Sequence, residues 1–206
     1  MTHKLENIIN AAGELFMTRP YHMVTMEDVR KGAGVGKGTL YRHFESKEEL
    51  YCSVVQNELD RLVESIVEYA DGPGDGDPRL RVRALSSKLA GFFENKKPLF
   101  ALMRSEELRG TQAKKKLFKQ WKHGRDCLVE VFEKAIDEGM ACGVYRRDVP
   151  ARVAAAFLIA VIKSASRDPA RGEQPLAGKG DRIEYALSIF DRGMAAEGER
   201  PQESGF

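Results

Sequence analysis

The sequence predicts an all-α protein. Apolar residues recur at three- and four-residue steps along most of the chain. No segment sustains the strict apolar–polar alternation of a strand flanked by hairpin turns, and clusters of breakers divide the chain at helix-length intervals.

The elements follow in order. Leu5, Ile8, Ile9, Ala12, Leu15 and Phe16 make one apolar stripe and define a first helix. Thr25, Met26, Glu27 and Asp28 resemble a capping box, which opens a short second helix with Val29 and Ala33 as its apolar positions. Gly34 tolerates the left-handed conformation needed to leave a helix, and Val35 is placed to plug the corner. A second short helix is expected from about 37 to 44. Ser46, Lys47, Glu48 and Glu49 form another capping box, opening a long helix over 47–70 with the stripe Leu50, Val54, Val55, Leu59, Leu62, Val63 and Ile66.

Residues 71–78 (DGPGDGDP) read as a linker between a small head and a larger body. In the body, Leu117, Phe118, Trp121, Leu128, Val129, Phe132 and Ile136 mark a further helix. The stretch 153–162 is apolar nearly all round, which suits a helix packed inside its own subunit and against a partner, and Pro150 is well placed near its start. After a long loop over 167–180, Ile183, Ala186, Leu187, Phe190 and Met194 give a last stripe. Residues 198–206 read as a disordered tail.

Composition narrows the function classes. In 206 residues, 31% charged and 42% hydrophobic side chains allow a globular core. A net charge of +2 neither demands nor excludes nucleic acid, so any basic footprint must be local. Cys52, Cys127 and Cys142 are widely spaced and form no CxxC pair, which argues against a disulfide framework or zinc module and for a reduced, cytoplasmic setting. No signal peptide is read at the N-terminus, and 153–162 is far below the roughly 20 residues a membrane span needs. An enzyme is the competing class. No nucleophile–base–orienter set, metal-ligand spacing or phosphate loop is present, so no catalytic residue, metal or cofactor is expected. His123 with Glu106 and Glu107 lacks a diagnostic metal spacing.

The short helices with a glycine turn between them give a helix-turn-helix layout. On a wheel of about 100° per residue, Leu40 and Phe44 point into the head. The opposite side carries Gly38, Thr39 and Arg42, with Tyr41 and His43 on the flanks and Lys37 at the entry. An exposed glycine permits close backbone approach, while Thr and Arg offer contacts to base edges. Lys37, Tyr41, His43 and Lys47 can reach phosphates on either side. The alternative is an ordinary solvated face, since residues 1–50 hold seven Lys and Arg against seven Asp and Glu.

At this point the chain resembles the TetR family of transcriptional regulators. The resemblance is carried by Leu15-Phe16, Thr25, Ala33-Gly34-Val35, Gly38-Thr39-Leu40-Tyr41, His43-Phe44, Lys47-Glu48 and Leu50, in order and at the family's spacing. It implies a three-helix N-terminal DNA-binding domain with the helix-turn-helix over 1–50 and a ligand-binding and dimerisation domain over 71–197, about nine helices in all. It also implies a double-stranded DNA operator as partner, and places Thr25, Lys37, Thr39, Tyr41, His43 and Lys47 at positions that contact DNA. Three departures stand out: Gly36 where the family often has Ser, Arg30 where a small Ala is common, and Pro20 in place of a frequent Gly. Arg30 is free to lay its stem on the surface and send its head to a phosphate.

For the body, the resemblance implies an effector cavity among the central helices and a homodimer through the last two. Phe93, Phe100, Met103, Phe118 and Trp121, with Arg104 and Arg125 for polar specificity, are the candidate ligand residues; each also fits an ordinary core or surface. The effector expected is an apolar or mildly acidic small molecule. The run 114–125 is basic, with no acid between Leu108 and Arg125. A solvated helix face, an anionic headgroup site and an added nucleic-acid contact all remain open for it.

Overall fold

The computed structural model describes residues 3–72, 76–101, 110–166 and 179–196. Met103, Arg104, most of the 167–180 loop and the 198–206 tail lie outside them. The described residues form nine α-helices: α1 His3–Thr18, α2 Met26–Gly32, α3 Lys37–His43, α4 Lys47–Asp71, α5 Pro78–Asn95, α6 Lys97–Ala101, α7 Gln112–Ala141, α8 Ala151–Ala165 and α9 Lys179–Met194. A 3₁₀ turn, Tyr21–Met23, precedes α2. The expected all-α architecture is therefore present. No helix among the described residues is long and apolar enough to cross a membrane.

The chain forms two compact units. Unit one comprises Met1–Arg61 with Lys96–Gly124, and unit two comprises Leu62–Asn95 with Arg125–Phe206. Both α4 and α7 run from one unit into the other.

In unit one, α1 packs on α2 and α6 through the face carrying Ile8, Ile9, Ala12 and Phe16, all buried. A Cβ on Gly32 would lie 3.4 Å from the Ala11 Cβ, so α1 and α2 meet at small residues. Phe16, Tyr21 and Tyr51 form an aromatic triangle with centroids 5.3–5.7 Å apart. The buried Tyr51 hydroxyl donates to the Leu99 carbonyl, joining α4 to α6. Lys96 meets Glu58 at 2.8 Å and draws the same two segments together.

In unit two, α5, α8 and α9 pack on one another. Val82, Leu85, Leu89, Ala154, Ala155, Leu158, Ile162, Ala186 and Leu187 form the core, with Leu128, Phe132 and Ile136 from α7. The buried Ser86 and Ser166 hydroxyls donate to the carbonyls four residues earlier, at 2.7 and 2.9 Å. Arg83 on α5 holds Glu184 and Asp191 on α9 at 2.6 and 3.3 Å.

The α9 stripe read from the sequence is the inner face of that helix: Ala186, Leu187 and Met194 are buried, and Phe190 packs edge-on to Tyr145 at 6.1 Å. The exposed apolar residues of α9 are Tyr185 and Ile189, at 61% and 72% exposure, and those of α8 are Val153, Phe157 and Val161. Periodicity finds the face that buries most area, and in α9 that face is taken by the helix's own subunit.

Candidate nucleic-acid interface

Thr25 is the first residue of the candidate interface. It is the N-cap of α2: its Oγ1 accepts from the Asp28 N–H at 3.1 Å, and its own N–H donates to the Asp28 carboxylate at 3.0 Å. This is the reciprocal capping box read from the sequence. The hydrogen bonds from the Thr25 side chain and backbone hold the Asp28 carboxyl below its ordinary pKa. Val24 and Val29, the two positions of a hydrophobic staple around this cap, are both fully buried.

The turn between the short helices is a Schellman motif. Gly34 adopts φ +64°, the Val35 N–H donates to the Arg30 carbonyl at 3.2 Å, and the Gly34 N–H donates to Lys31 at 3.2 Å. Val35 is buried at the corner. Arg30 does not reach outward. Its guanidinium grips Glu27 at 2.6 and 2.8 Å and donates to the Val35 carbonyl at 3.2 Å, so this departure from the family pattern clamps the turn.

Helix α3 buries Leu40 and abuts the buried Phe44, as the wheel requires. Lys37, Gly38, Tyr41 and Arg42 are exposed, and Thr39 and His43 are half-buried. A Cβ on Gly38 would meet nothing within 4 Å, so nothing inside the chain demands glycine there and the backbone is open to a partner. One short helix thus presents a cation, an open backbone, a hydroxyl, a phenol, a guanidinium and an imidazole. That set suits base edges in a major groove and the phosphates beside it.

Lys47 sits differently. Its ammonium donates to the Tyr21 and Val24 carbonyls, both at 3.0 Å, and lies 4.1 Å from the centroid of the Tyr21 ring. It ties the start of α4 to the segment entering α2, leaving one of its three N–H groups for a phosphate. No sequence pattern signals this clamp, because its acceptors are main-chain carbonyls more than twenty positions away.

The candidate ligand residues are spread over the two units. In unit two, Phe93 is half-buried and edge-on to Phe92 at 5.4 Å, with the Lys163 ammonium 5.9 Å over its ring, and Arg125 is 59% exposed. In unit one, Phe100 and Trp121 are half-buried, while Phe118 is 57% exposed. Phe118 and Arg125 therefore stand in solvent instead of lining an enclosed pocket: they lie on the outer faces of α7. Unit one also holds an open cleft of about 400 Å³ between α1, the end of α3, α4 and α7, and none of the five described ligand candidates lines it.

Comparisons with known proteins agree on the class. Residues 8–54 match the family model described as bacterial regulatory proteins, tetR family. The chain is similar to the HTH-type transcriptional repressor DhaR of Mycobacterium sp. (strain GP1), 31% identical over 165 residues that cover 75% of this chain and 76% of that protein. It is 40% identical to the HTH-type transcriptional activator FasR of Mycolicibacterium smegmatis over 74 residues, which span 36% of this chain and only 34% of FasR. Its fold is similar to that of a putative transcriptional regulator from Saccharomonospora viridis, solved in complex with choline, with a TM-score of 0.75 at 18% identity over 96% of this chain and all of the other.

Proposed function

Since the chain belongs to the TetR family of DNA-binding transcriptional regulators, we propose that it is a repressor which holds a palindromic operator as a homodimer and releases it on binding a small effector. The observation that carries this reading is the outer face of α3: Lys37, Gly38, Tyr41 and Arg42 are exposed on a helix that follows the Schellman turn and is anchored inward by the buried Leu40 and Phe44. Thr25, Thr39, His43 and the remaining Lys47 donor complete the proposed contact set. DhaR, the relative matched over three quarters of its length, is named a repressor, which favours repression over the activation named for FasR.

Pairing is proposed through α8 and α9. Val153, Phe157 and Val161 recur at four-residue steps on α8, Tyr185 and Ile189 do so on α9, and the two helices are packed neighbours. Exposed apolar residues grouped in this way mark an interface more often than a free surface. Such a dimer presents two reading helices to half-sites about one DNA turn apart.

For the effector we propose an apolar or mildly acidic small molecule, with Phe93 as its first candidate contact. The Lys163 ammonium lies 5.9 Å over the Phe93 ring, so a cation stands beside this candidate contact. Helix α4 is common to both units, so it is the element through which effector binding is proposed to act on the head.

The test is genomic selection of bound fragments with the purified protein, followed by affinity measurements on the selected site. Arg42→Ala is expected to cost about 1–3 kcal/mol and to relax preference at one position of each half-site. Tyr41→Ala is expected to weaken all sites alike. Failure of the wild-type chain to enrich any sequence would sink the reading.

A further inference from the structure

The open cleft of unit one is not used by the reading above. All of its lining residues belong to that unit, and its volume of about 400 Å³ suits a small molecule. One wall is a stripe of α4. Glu49, Cys52, Ser53, Gln56, Asn57 and Asp60 follow at i, i+3, i+4, i+7, i+8 and i+11, along about 16 Å of helix at 1.5 Å per residue. The rest of the lining comes from α1, from the start of α7, and from His43 and Phe44 at the end of α3.

The α4 wall is rich in acceptors and short of donors to meet them. Gln56 donates its amide nitrogen to the Asp60 carboxylate at 2.6 Å, which fixes the amide's orientation, because a carboxylate only accepts. Its Oε1 is left buried and without a partner among the described residues. The terminal torsion of a glutamine is soft, so a modest turn presents this oxygen to the cleft. Glu49 is half-buried; its Oε2 accepts from the Glu45 N–H at 2.9 Å, and no described residue donates to its Oε1. Charge points the same way: among the lining residues two carboxylates, Glu49 and Asp60, meet one ammonium, that of the exposed Lys116. Apolar surface lies beside these acceptors, where Ile9, Phe44 and Leu117 are buried.

We propose that this cleft binds a small aliphatic amine, whose ammonium donates to Gln56 and Asp60 and whose hydrocarbon body lies against Ile9, Phe44 and Leu117. A protonated amine brings three N–H donors and no acceptor, which is what the α4 wall lacks. A carboxylic acid would set acceptors against acceptors and its charge beside two others, with only Lys116 in its favour. The site is separate from the effector contact proposed at Phe93, which belongs to unit two. His43 and Phe44 line it, so an occupant touches the end of the helix proposed to read DNA. Through them an amine acts on DNA binding directly.

The action on DNA rests on the reading of this chain as a DNA binder, whereas amine binding does not, and the experiment separates them. The full chain is titrated by calorimetry with hexylammonium chloride, sodium hexanoate and hexanol. Hexylammonium is expected to bind more tightly than the other two. Asp60→Asn should weaken it about tenfold, the loss expected for one hydrogen bond to a charged group. Ser53→Phe, which fills the cleft, should abolish binding, and Lys116→Gln, which removes the opposing charge, should tighten it. Glu130→Gln, at an exposed acid of unit two, should match wild type. Tighter binding of hexanoate overturns the proposal. So do Asp60→Asn and Ser53→Phe chains that are folded by circular dichroism yet keep wild-type affinity, since the amine then binds elsewhere. Affinity for the selected operator is then measured with and without saturating hexylammonium. It is expected to change in wild type and to stay constant in Ser53→Phe; no change in occupied wild type overturns the action on α3. If the chain selects no DNA sequence but hexylammonium binding and its loss in the variants persist, the DNA reading fails and the amine site stands.

Discussion

At the scale of single residues, three side chains show how local chemistry sets the head and body. Asp28 caps α2 through hydrogen bonds that favour its charged form, with the Thr25 hydroxyl first among them. A carboxyl depressed by folding contributes stability that is present above its ordinary value of 3.8 and lost as pH falls through the lower folded value. Asp28→Asn is therefore expected to lower the melting temperature at neutral pH, with the gap to wild type closing in acid; a gap that is constant with pH would show that the charge is irrelevant to the cap. Gly139 on α7 is required by close approach: a Cβ there would lie 2.3 Å from Tyr145 Cδ2. The ring is buried and braced by Phe190, so it cannot swing away. Gly139→Ala should destabilise the fold by about 1–3 kcal/mol, measured by urea unfolding, through overpacking and despite alanine's better helix propensity. Lys47 was legible in sequence as a cation at a helix start. Its use as a clamp on the Tyr21 and Val24 carbonyls depends on how the chain turns before α2, and no local pattern encodes that.

At the scale of elements, boundaries were more legible than faces. The capping box of α2, the glycine exit, the inward Leu40 and Phe44 and the long α4 all follow from local rules, because caps and turns are made by residues within four positions of one another. Faces are decided by neighbours. In α9 the regular stripe packs inside its own subunit, and Ile189, which no periodicity singled out, is 72% exposed. Ile189→Glu and Phe190→Glu, adjacent in sequence, should therefore behave oppositely. The first is expected to dissociate the dimer in light scattering while the chain stays folded. The second should lower the melting temperature by removing packing on Tyr145, whatever the oligomeric state. Loss of pairing from Phe190→Glu in a fully stable chain, with Ile189→Glu silent, would reverse the assignment of the two faces.

At the scale of the whole molecule, regulation requires that an effector bind two states of the protein with different affinity. Trp121, the only tryptophan, is half-buried in the first part of α7, a helix shared by both units. Titrating small apolar acids against its emission, with release of operator DNA followed in parallel, is expected to show both signals changing over one concentration range. Release without any change at Trp121 would mean that effector binding leaves the environment of this part of α7 untouched. The sequence by itself determined the all-α class, the helix-turn-helix, the exposed face of its second helix and the family, because each depends on short-range periodicity, capping and a dense local motif. Only the tertiary structure decided which apolar stripes are core and which are open, that Arg30 and Lys47 brace the head, that Phe118 and Arg125 stand in solvent, and that the start of α7 and the end of α3 line one cleft. Those outcomes depend on contacts between residues far apart in the chain, where burial is shared among elements and no single segment records its partner.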